Sequence, residues 1–458
     1  MRTSTSEEVG TRKRRILGWL VPLAALGISA CGGGSDSTAS SSSASSSTSS
    51  SSSSGSSSSS SSGSSSSSGG HNFSGGGANV VSMVVGPGPL AANSAFNIPT
   101  TTVTVCEPNT STCMTISNIL VDTGSPGLRL IASVLGSFTL PSQMDPSGNG
   151  NQIVECLPFA DGYTWGPVAT ADISVGGENA SGVPINIIDD TNSLEPAAPS
   201  SCTNSGMKSN LGSVTALGAN GVLGVGLFSY DCGNYCAQPT VDQTDGYLYY
   251  TCSSTSCAPT SEGLTSQVIN PVALFAKDNN GVILQLPAIP VSGQASATGY
   301  LVFGIGTESN NGLGGVTVLT TNTTGYITTM FDGQTLSSSF LDSGSNGFYF
   351  PDSSIPICTG FTNASQFYCP SPSPTPMLTA TNQGQNGNST QVSFQINDPT
   401  KLNQTFFAVD VGGPITGING LGVSDFFDFG VPFFYGRTVF TAIEGAAADG
   451  VTGPYFAY

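Results

Sequence analysis

Two short stretches of the chain, 220 residues apart, carry the same acidic turn. "NILVDTGSPGLRLIAS" (residues 118 to 133) and "SFLDSGSNGFYFPDS" (residues 339 to 353) each run apolar, apolar, Asp, Thr or Ser, Gly, Ser. Two carboxylates about 3 Å apart cannot both ionise, so they share one proton. The ionised carboxylate can take a proton from a water molecule between them, and the protonated one can donate to a carbonyl oxygen. The repeated turn therefore predicts an acid–base pair formed by Asp122 and Asp342.

Such a pair depends on the elements that hold it. Each Asp must stand at the end of a strand, with a neighbouring Gly so that the backbones approach closely and with hydroxyls that orient the carboxylate. Residues 122 to 125 and 342 to 345 supply each of these. A single Asp-Thr-Gly-Ser would indicate only a turn whose carboxylate caps backbone amides. Two copies in matching apolar frames favour the paired site.

Histidine chemistry is excluded from most of the chain. The only histidine is His71, which lies at the end of a serine-rich segment. A Ser/His/Asp triad, a Cys/His dyad or a histidine-ligated zinc site would need an imidazole that the rest of the chain lacks. A hydrolase built on this sequence would use carboxylates as its acid and base, with tyrosine or lysine as weaker alternatives.

Together with three further segments, the two turns resemble those of the pepsin-like aspartic peptidases. In that family a later apolar-apolar-Gly segment threads each Asp turn. Here "NGVLGVGLF", with residues 222 to 224, follows the first turn, and "FDFGVPFFYGRTVFTAIE", with residues 428 to 430, follows the second. Between the two turns, and before the first threading segment, "PFADGYTWGPVATADISVGG" (residues 158 to 177) resembles the flap hairpin of the family. The resemblance implies two lobes, an extended cleft between them and endopeptidase activity without a covalent intermediate.

The resemblance also implies a role for each residue of the turns. Asp122 and Asp342 match the catalytic pair. In each turn the residue after the Asp links the two turns, the Gly lets a backbone amide support the inner carboxylate oxygen, and the Ser binds the outer oxygen. The supporting residues assigned in this way are Thr123, Gly124, Ser125, Ser343, Gly344 and Ser345.

The predicted flap departs from the family pattern. Phe159 stands where the family usually has a tyrosine, with Tyr163 four residues on, and Arg129 stands where a tryptophan usually follows the first Asp. Tyr163 or Trp165 could cover a substrate instead, and ordinary hairpin packing is the alternative for all three aromatic residues. If Arg129 pointed inward, its charge would hold Asp122 ionised to a lower pH, and a plain surface arginine is the alternative.

The chain opens as an export signal. Four basic residues (12 to 15) precede an apolar run (16 to 28) that is too short to span a bilayer and ends at "GISAC". This ending resembles the lipobox of bacterial lipoproteins, in which Cys31 would be acylated and become the mature N-terminus. Ordinary cleavage after Ala30 is the alternative. The Gly32 that follows favours, by the same resemblance, a lipid anchor in the outer membrane or at the cell surface.

Beyond the signal (residues 1 to 30), residues 31 to 78 predict a disordered tether, since nearly pure serine cannot bury apolar area. The rest predicts β-structure, because runs such as "TTTVTV", "ATADISV" and "GYLVFGI" are separated by Gly, Asn and Pro turns. One helix is expected, around residues 271 to 279. The sequence therefore predicts an all-β, bilobal pepsin-like fold with an N-terminal lobe over 79 to 289 and a C-terminal lobe over 290 to 458.

Ten cysteines remain after Cys31, and an even number in an exported chain predicts up to five disulfides. Cys106 with Cys113 and Cys358 with Cys369 are plausible local pairs. A zinc site is the alternative for four others, but an oxidising compartment favours disulfides there, so neither a metal nor another cofactor is expected. These four are Cys232, Cys236, Cys252 and Cys257.

The charge of the chain is strongly acidic. Five of the ten Lys and Arg residues lie in the signal, and beyond it five basic residues face 26 acidic ones, a net charge of −21. Such a surface repels nucleic acid and anionic membranes. We expect a monomer that acts on peptides or proteins and touches the membrane only through the lipid on Cys31.

Two other functions compete with the peptidase. The first is a non-catalytic surface lipoprotein that binds peptide or glycan in the cleft, which the altered flap and Arg129 favour. The second is glycoside hydrolysis, which needs carboxylates about 5 Å or more apart and so disagrees with a shared proton. The chain also resembles a poorly characterised family of bacterial lipoproteins with a Ser-rich or Gly-rich leader and the same pair of Asp motifs, and this resemblance implies no particular reaction.

Overall fold

A computed structural model of the protein describes most of the chain after the serine-rich segment. The predicted lipidation site Cys31, the export signal, His71 and nearly all of the predicted tether lie outside the described residues. No helix within those residues is long and apolar enough to cross a membrane. The described residues are 77–89, 95–160, 162–191, 197–203, 209–238, 248–360, 364–415 and 424–458.

Strands dominate the structure. They account for 42% of it and helices for 8%, so the protein is all-β as the sequence predicts. The first eleven strands are β1 (Val80–Val85), β2 (Pro99–Cys106), β3 (Cys113–Asp122), β4 (Pro126–Ile131), β5 (Gln152–Pro158), β6 (Tyr163–Val175), β7 (Glu178–Ile188), β8 (Gly221–Val225), β9 (Tyr249–Cys252), β10 (Cys257–Pro259) and β11 (Gly281–Gln285). The later strands of the described residues are β12 (Ala297–Phe303), β13 (Val318–Thr320), β14 (Ile327–Phe331), β15 (Gln334–Leu341), β16 (Phe348–Tyr349), β17 (Leu378–Gln383), β18 (Ser389–Phe394), β19 (Gly412–Gly413), β20 (Asp428–Phe429), β21 (Thr438–Ala442), β22 (Ala447–Ala448), β23 (Val451–Thr452) and β24 (Tyr455–Ala457).

The described helices are single turns. The helix predicted around residues 271 to 279 is wrong in length, because only a 3₁₀ turn forms there. Its backbone becomes extended at Phe275, whose ring packs edge-on against Phe303 with the ring centroids 5.2 Å apart. The α-helical turns are α1 (Ala132–Leu135), α2 (Ser200–Thr203), α3 (Val214–Leu217) and α4 (Val431–Phe434), and the 3₁₀ turns are Leu264–Ser266, Pro271–Leu274, Ala364–Gln366 and Pro399–Lys401.

Two large sheets hold most of the strands. One has fifteen strands in the order β10-β9-β5-β6-β7-β4-β8-β3-β2-β1-β12-β11-β21-β24-β13, and the other has seven in the order β18-β17-β14-β15-β20-β16-β19. The strands β11 and β12 lie on either side of the predicted boundary at 289/290, and they pair antiparallel with Val282 opposite Phe303. The larger sheet therefore takes strands from both predicted lobes.

The same three-strand arrangement occurs once in each half of the chain. β8 lies between β3 and β4, parallel to the first and antiparallel to the second. β20 lies between β15 and β16 in the same two orientations. Asp122 closes β3 opposite Gly224, and the amide of Asp342 donates a 3.0 Å hydrogen bond to the carbonyl of Phe429. Each Asp therefore stands at the end of a strand, beside a later strand that threads its turn.

The threading strands need glycine where they meet the turns. An added Cβ at Gly224 would lie 2.6 Å from the carbonyl oxygen of Ser125, and one at Gly430 would lie 2.2 Å from that of Gly347. These distances leave no room for a side chain. The Gly of each apolar-apolar-Gly segment is thus fixed by the close approach of two backbones.

Aromatic packing and disulfides stabilise this framework. The aromatic cluster over residues 426 to 435 is buried, as expected for core, and the rings of Phe427 and Phe429 stack with centroids 4.0 Å apart. The predicted disulfides are confirmed, including both expected local pairs, and the four cysteines considered for zinc form two disulfides. The five pairs are Cys106–Cys113, Cys156–Cys202, Cys232–Cys236, Cys252–Cys257 and Cys358–Cys369.

Replacing the glycine of the second threading strand tests its close contact. We expect Gly430→Ala to lower the free energy of unfolding by about 1–3 kcal/mol, since the new methyl group overlaps backbone that cannot move aside. Thermal or urea unfolding measures the change. Gly315→Ala is the matched control because a Cβ there has nothing within 4 Å. Equal stability of the two variants would contradict the expectation.

Candidate active site

A set of buried hydrogen bonds ties the two Asp turns together. The amide of Thr123 donates to Ser343 Oγ over 3.0 Å, and the amide of Ser343 donates to Thr123 Oγ1 over 2.9 Å. The same two hydroxyls donate to backbone carbonyls of the opposite strands, Thr123 Oγ1 to Leu341 at 3.3 Å and Ser343 Oγ to Val121 at 2.8 Å. The linking role that the resemblance implies for Thr123 and Ser343 thus has its hydrogen bonds in place.

In the first turn two donors hold the carboxylate. The amide of Gly124 donates to Asp122 Oδ1 over 2.7 Å, and the hydroxyl of Ser125 donates to Asp122 Oδ2. Asp122 has no exposed surface. The carboxylate is therefore fixed in direction and shielded from solvent.

The second turn repeats these contacts with one addition. The amide of Gly344 donates to Asp342 Oδ1 over 2.7 Å, and Ser345 Oγ lies 2.8 Å from Asp342 Oδ2. Ser345 Oγ also lies 2.6 Å from Oδ2 of a third buried acid, Asp428. The second turn thus has a carboxyl neighbour that the first turn does not share.

The two carboxylates meet over Gly344. An added Cβ at that residue would lie 2.7 Å from Asp122 Oδ1 and 3.0 Å from Asp342 Oδ1, so both inner oxygens converge on one point. The two side chains lie within hydrogen-bonding reach of each other. The pair is therefore close enough to share a proton.

The surroundings place that proton on one member of the pair. Burial raises the pKa of both carboxyl groups, and the charge of Asp122 raises the pKa of Asp342 further, well above its ordinary value. The hydrogen bonds from Ser125 and Gly124 partly offset the rise in the pKa of Asp122. Asp342 accordingly carries the shared proton, and Asp122 is the ionised member.

The predicted flap is the hairpin of β5 and β6. Pro158 pairs with Tyr163, and the amide of Phe159 donates to the carbonyl of Gly162 over 2.7 Å to close the turn. Phe159 is fully buried against apolar residues of the N-terminal half. Its neighbour at the tip, Ala160, instead packs with residues of the C-terminal half. These are Tyr326, Phe340, Tyr349 and Phe426, with Ile415 at the edge of the group.

This contact joins the hairpin tip to the C-terminal half. Phe340 lies two residues before Asp342 on β15, so the tip reaches the strand that carries the second carboxylate. A small cavity of about 20 Å³ remains beside the first turn, lined by residues that include Thr123, Gly124 and Tyr326. That volume is just enough for one water molecule.

Tyr163 and Trp165 lie in the body of the hairpin. Both are buried in an apolar cluster that includes the Cys156–Cys202 disulfide, and Trp165 meets Tyr250 edge-on with ring centroids 5.2 Å apart. These contacts match the packing alternative. The structure does not bring either ring, or that of Phe159, to the carboxylates.

Arg129 is buried in an ion-pair cluster. Its guanidinium lies 2.6 Å from Glu155 and 3.4 Å from Asp231, and it donates to the carbonyl of Pro126 over 2.7 Å. The surface-arginine alternative is therefore wrong, and with no exposed atom Arg129 has no surface for a predicted substrate contact. Its charge acts in the direction anticipated for an inward side chain, because it slightly lowers the pKa of Asp122.

The surroundings of this cluster raise the pKa of one of its acids. Burial and the hydrogen bond with Glu155 raise the pKa of Asp231 well above its ordinary value. The hydroxyl of Tyr249 lies 2.8 to 2.9 Å from both Asp231 oxygens. One guanidinium therefore faces two buried acid side chains.

Sequence reasoning missed two features of the site. The sequence pattern assigns Asp428 only to a threading segment, although an acid at that place is a signal because the first segment has Val222 there. Ala160 gives no chemical signal, since its place at the hairpin tip depends on how the strands pair. The other predicted residues of the two turns lie together in the structure.

Comparison with known proteins places most of the chain in a single family. Residues 75–458 match the family described as "Protein of unknown function (DUF3443)". No curated protein matches the chain.

The buried ion pair and an exposed one provide a matched test of the Arg129 cluster. We expect Arg129→Met to lower the free energy of unfolding by about 3–5 kcal/mol, because it leaves Glu155 buried without its cation. Lys277→Met breaks the exposed pair with Glu308 and should change stability far less, because solvent screens that pair. Chemical denaturation measures both. Similar losses in the two variants would contradict this placement of Arg129.

Raised acid pKa values predict the pH dependence of stability. Burial raises the pKa of Asp410 to about 7 from an ordinary value of 3.8, and burial also raises the pKa of Asp342 well above that ordinary value. Between the unfolded and folded pKa values the folded state binds more protons, so its stability falls as pH rises. We expect the melting temperature to drop between about pH 4 and pH 8. Asp410→Asn should make the melting temperature fall less steeply with pH up to about pH 7. An unchanged dependence on pH would refute the contribution of Asp410.

Proposed function

Because the chain belongs to the family described as "Protein of unknown function (DUF3443)", we propose its activity from the site alone: an aspartic endopeptidase with the bilobal fold of the pepsin-like peptidases. The observation that carries the proposal is the convergence of the Asp122 and Asp342 inner oxygens on Gly344, with one carboxyl group protonated. The same proton sharing argues against glycoside hydrolysis, which needs more widely spaced carboxylates.

Support for the fold comes from the repeated strand arrangement. Each half threads a later parallel strand, β8 or β20, beside the strand that ends in the catalytic Asp. The hairpin of β5 and β6 follows the first turn, at the position the family gives its flap. Strands of both halves join in the larger sheet, and the hairpin tip contacts β15 of the C-terminal half.

The reaction follows from the different states of the two acids. Asp122 takes a proton from a water held between the carboxylates, and the water oxygen bonds to the peptide carbonyl carbon. Asp342 gives its proton to the carbonyl oxygen, which yields a neutral tetrahedral diol. When the C–N bond breaks, Asp122 passes its proton to the leaving nitrogen and Asp342 recovers one from the diol. Both acids then stand as they began.

The fixed hydrogen bonds around the pair reduce the reorganisation that the reaction requires. The linked Thr123 and Ser343 keep the turns at one separation, and an amide and a hydroxyl hold each carboxylate in direction. Donors that are already in place stabilise developing charge without having to turn. The hairpin must lift for a peptide to enter, and its closure then excludes bulk water from the cleft.

The proposed location is the bacterial envelope, with the domain exported and anchored through a lipid on Cys31. Five disulfides among the described residues support export, since disulfides persist in oxidising compartments. Peptide or protein is the proposed substrate.

The second candidate is a lipoprotein that binds peptide or glycan in the same cleft without cleaving it. Two observations favour it. Both carboxylates are fully buried in the closed structure, and Phe159 lies in the core where the family usually has a flap tyrosine.

Cleavage of a mixed peptide library by the purified protein tests the proposal. We expect hydrolysis within about pH 3 to 7, lost by at least 1,000-fold in both Asp122→Asn and Asp342→Asn, because each removes the acid or the base. Asp332→Asn is the control, since Asp332 is exposed in a left-handed backbone conformation that Asn also tolerates.

A statine-containing peptide separates the two candidates. The catalytic pair should bind this transition-state mimic and raise the melting temperature at mildly acidic pH. A folded protein that cleaves nothing and gains no stability from the mimic would refute the peptidase and leave the binding lipoprotein.

A further inference from the structure

A third buried carboxyl group distinguishes the second Asp turn from the first. Asp428 lies on β20 with no exposed surface, and its Oδ2 is 2.6 Å from Ser345 Oγ. The corresponding place on β8 holds Val222, which stands two residues before Gly224 as Asp428 stands two before Gly430. The two halves therefore repeat a backbone arrangement but differ in one acid.

Hydrogen counting fixes how many protons this group holds. Ser345 Oγ lies 2.8 Å from Asp342 Oδ2 and 2.6 Å from Asp428 Oδ2, and both are hydrogen-bonding distances. A hydroxyl has only one hydrogen to donate. If Ser345 donates to one carboxyl group, the other must donate to Ser345. One of the two carboxyl groups is therefore an acid with its proton directed at the serine.

The surroundings select Asp428 as that acid. Asp342 Oδ1 accepts from the amide of Gly344, whereas Asp428 Oδ1 has no hydrogen-bond partner among the described residues. No described Lys or Arg forms an ion pair with Asp428. An ionised carboxylate with such poor solvation would cost several kcal/mol, which protonation avoids. Burial accordingly raises the pKa of Asp428 well above its ordinary value.

We propose that Asp428 is a protonated positioning residue that donates from Oδ2 to Ser345 Oγ, so that the Ser345 hydroxyl points to the outer oxygen of Asp342. Donation in series strengthens each hydrogen bond of the chain. The neutral acid adds no negative charge beside the catalytic pair. The hydrogen-bond chain stands on its own geometry, and its effect on catalysis rests on the proposed function.

Infrared difference spectroscopy tests the protonation without any assay of activity. At about pH 6, where an ordinary Asp is ionised, the parent minus Asp428→Asn spectrum should contain a carboxylic-acid C=O band that shifts in D₂O. Asp428→Val should lose the same band, so the test does not depend on one variant folding. Asp410→Asn is the control for detection, since the pKa of Asp410 is about 7. A band lost in the control but in neither Asp428 variant overturns the proposal.

Kinetics then test the positioning role. Asn can donate from its amide as the neutral acid does, so Asp428→Asn should keep kcat and the pH profile within about twofold. Asp428→Val, which copies the first half of the molecule, should lower kcat about tenfold with KM little changed. A shift of the acidic limb in Asp428→Asn would mean that a negative charge had been removed, and would overturn the proposal.

The two proposals fail in different ways. If the parent protein cleaves no peptide, the peptidase proposal fails, while the infrared band still decides the state of Asp428. If the parent cleaves peptide and Asp428→Val matches it in kcat and pH profile, the positioning role fails and the peptidase stands.

Discussion

Two carboxylates that share one proton away from bulk water are the constraint on which the rest of this structure depends. Neither Asp122 nor Asp342 has exposed surface, and desolvation disfavours the charge that one of them must carry. Each carboxylate lies within hydrogen-bonding distance of one backbone amide and one serine hydroxyl. Those donors sit correctly only if the turns keep a fixed separation, which the reciprocal bonds of Thr123 and Ser343 maintain. Each threading strand also needs a glycine, because its backbone lies against the backbone of the turn.

The acidic composition decides how other buried acids are accommodated. Beyond the predicted signal the chain has five basic residues, and in the described residues only Arg129 is a fully buried cation. Its single positive charge faces two buried acids, Glu155 and Asp231. Hydrogen bonding and protonation are the remaining ways to bury an acid, and burial raises the pKa of Asp231, Asp342 and Asp428 well above the ordinary value. A shortage of cations thus ties the buried site to mildly acidic conditions.

The sequence was informative where function depends on local pattern. The turns, their supporting hydroxyls and the glycines of the threading strands follow from residues within a few positions of each other, and the structure brings them together. The sequence did not predict which side chains from different strands contact each other. Arg129 meets Glu155 and Asp231 only after β4, β5 and the segment after β8 have packed, and the hairpin tip is Ala160 because Phe159 turns into the core. The helix expected near residue 275 failed because burial of that ring required extended backbone.

The difference between the halves also answers why two nearly identical turns end in different protonation states. Their own residues cannot decide it, because each Asp has the same amide and hydroxyl donors. The asymmetry comes from Arg129, whose charge lowers the pKa of Asp122, so that the other carboxyl group, Asp342, keeps the shared proton. Asp428 does not make Asp342 the acid, because a hydrogen bond from Ser345 to Asp342 lowers the pKa of Asp342. Its proposed role is to direct the Ser345 hydroxyl, and the first turn has no such acid because Val222 takes the corresponding place on its threading strand.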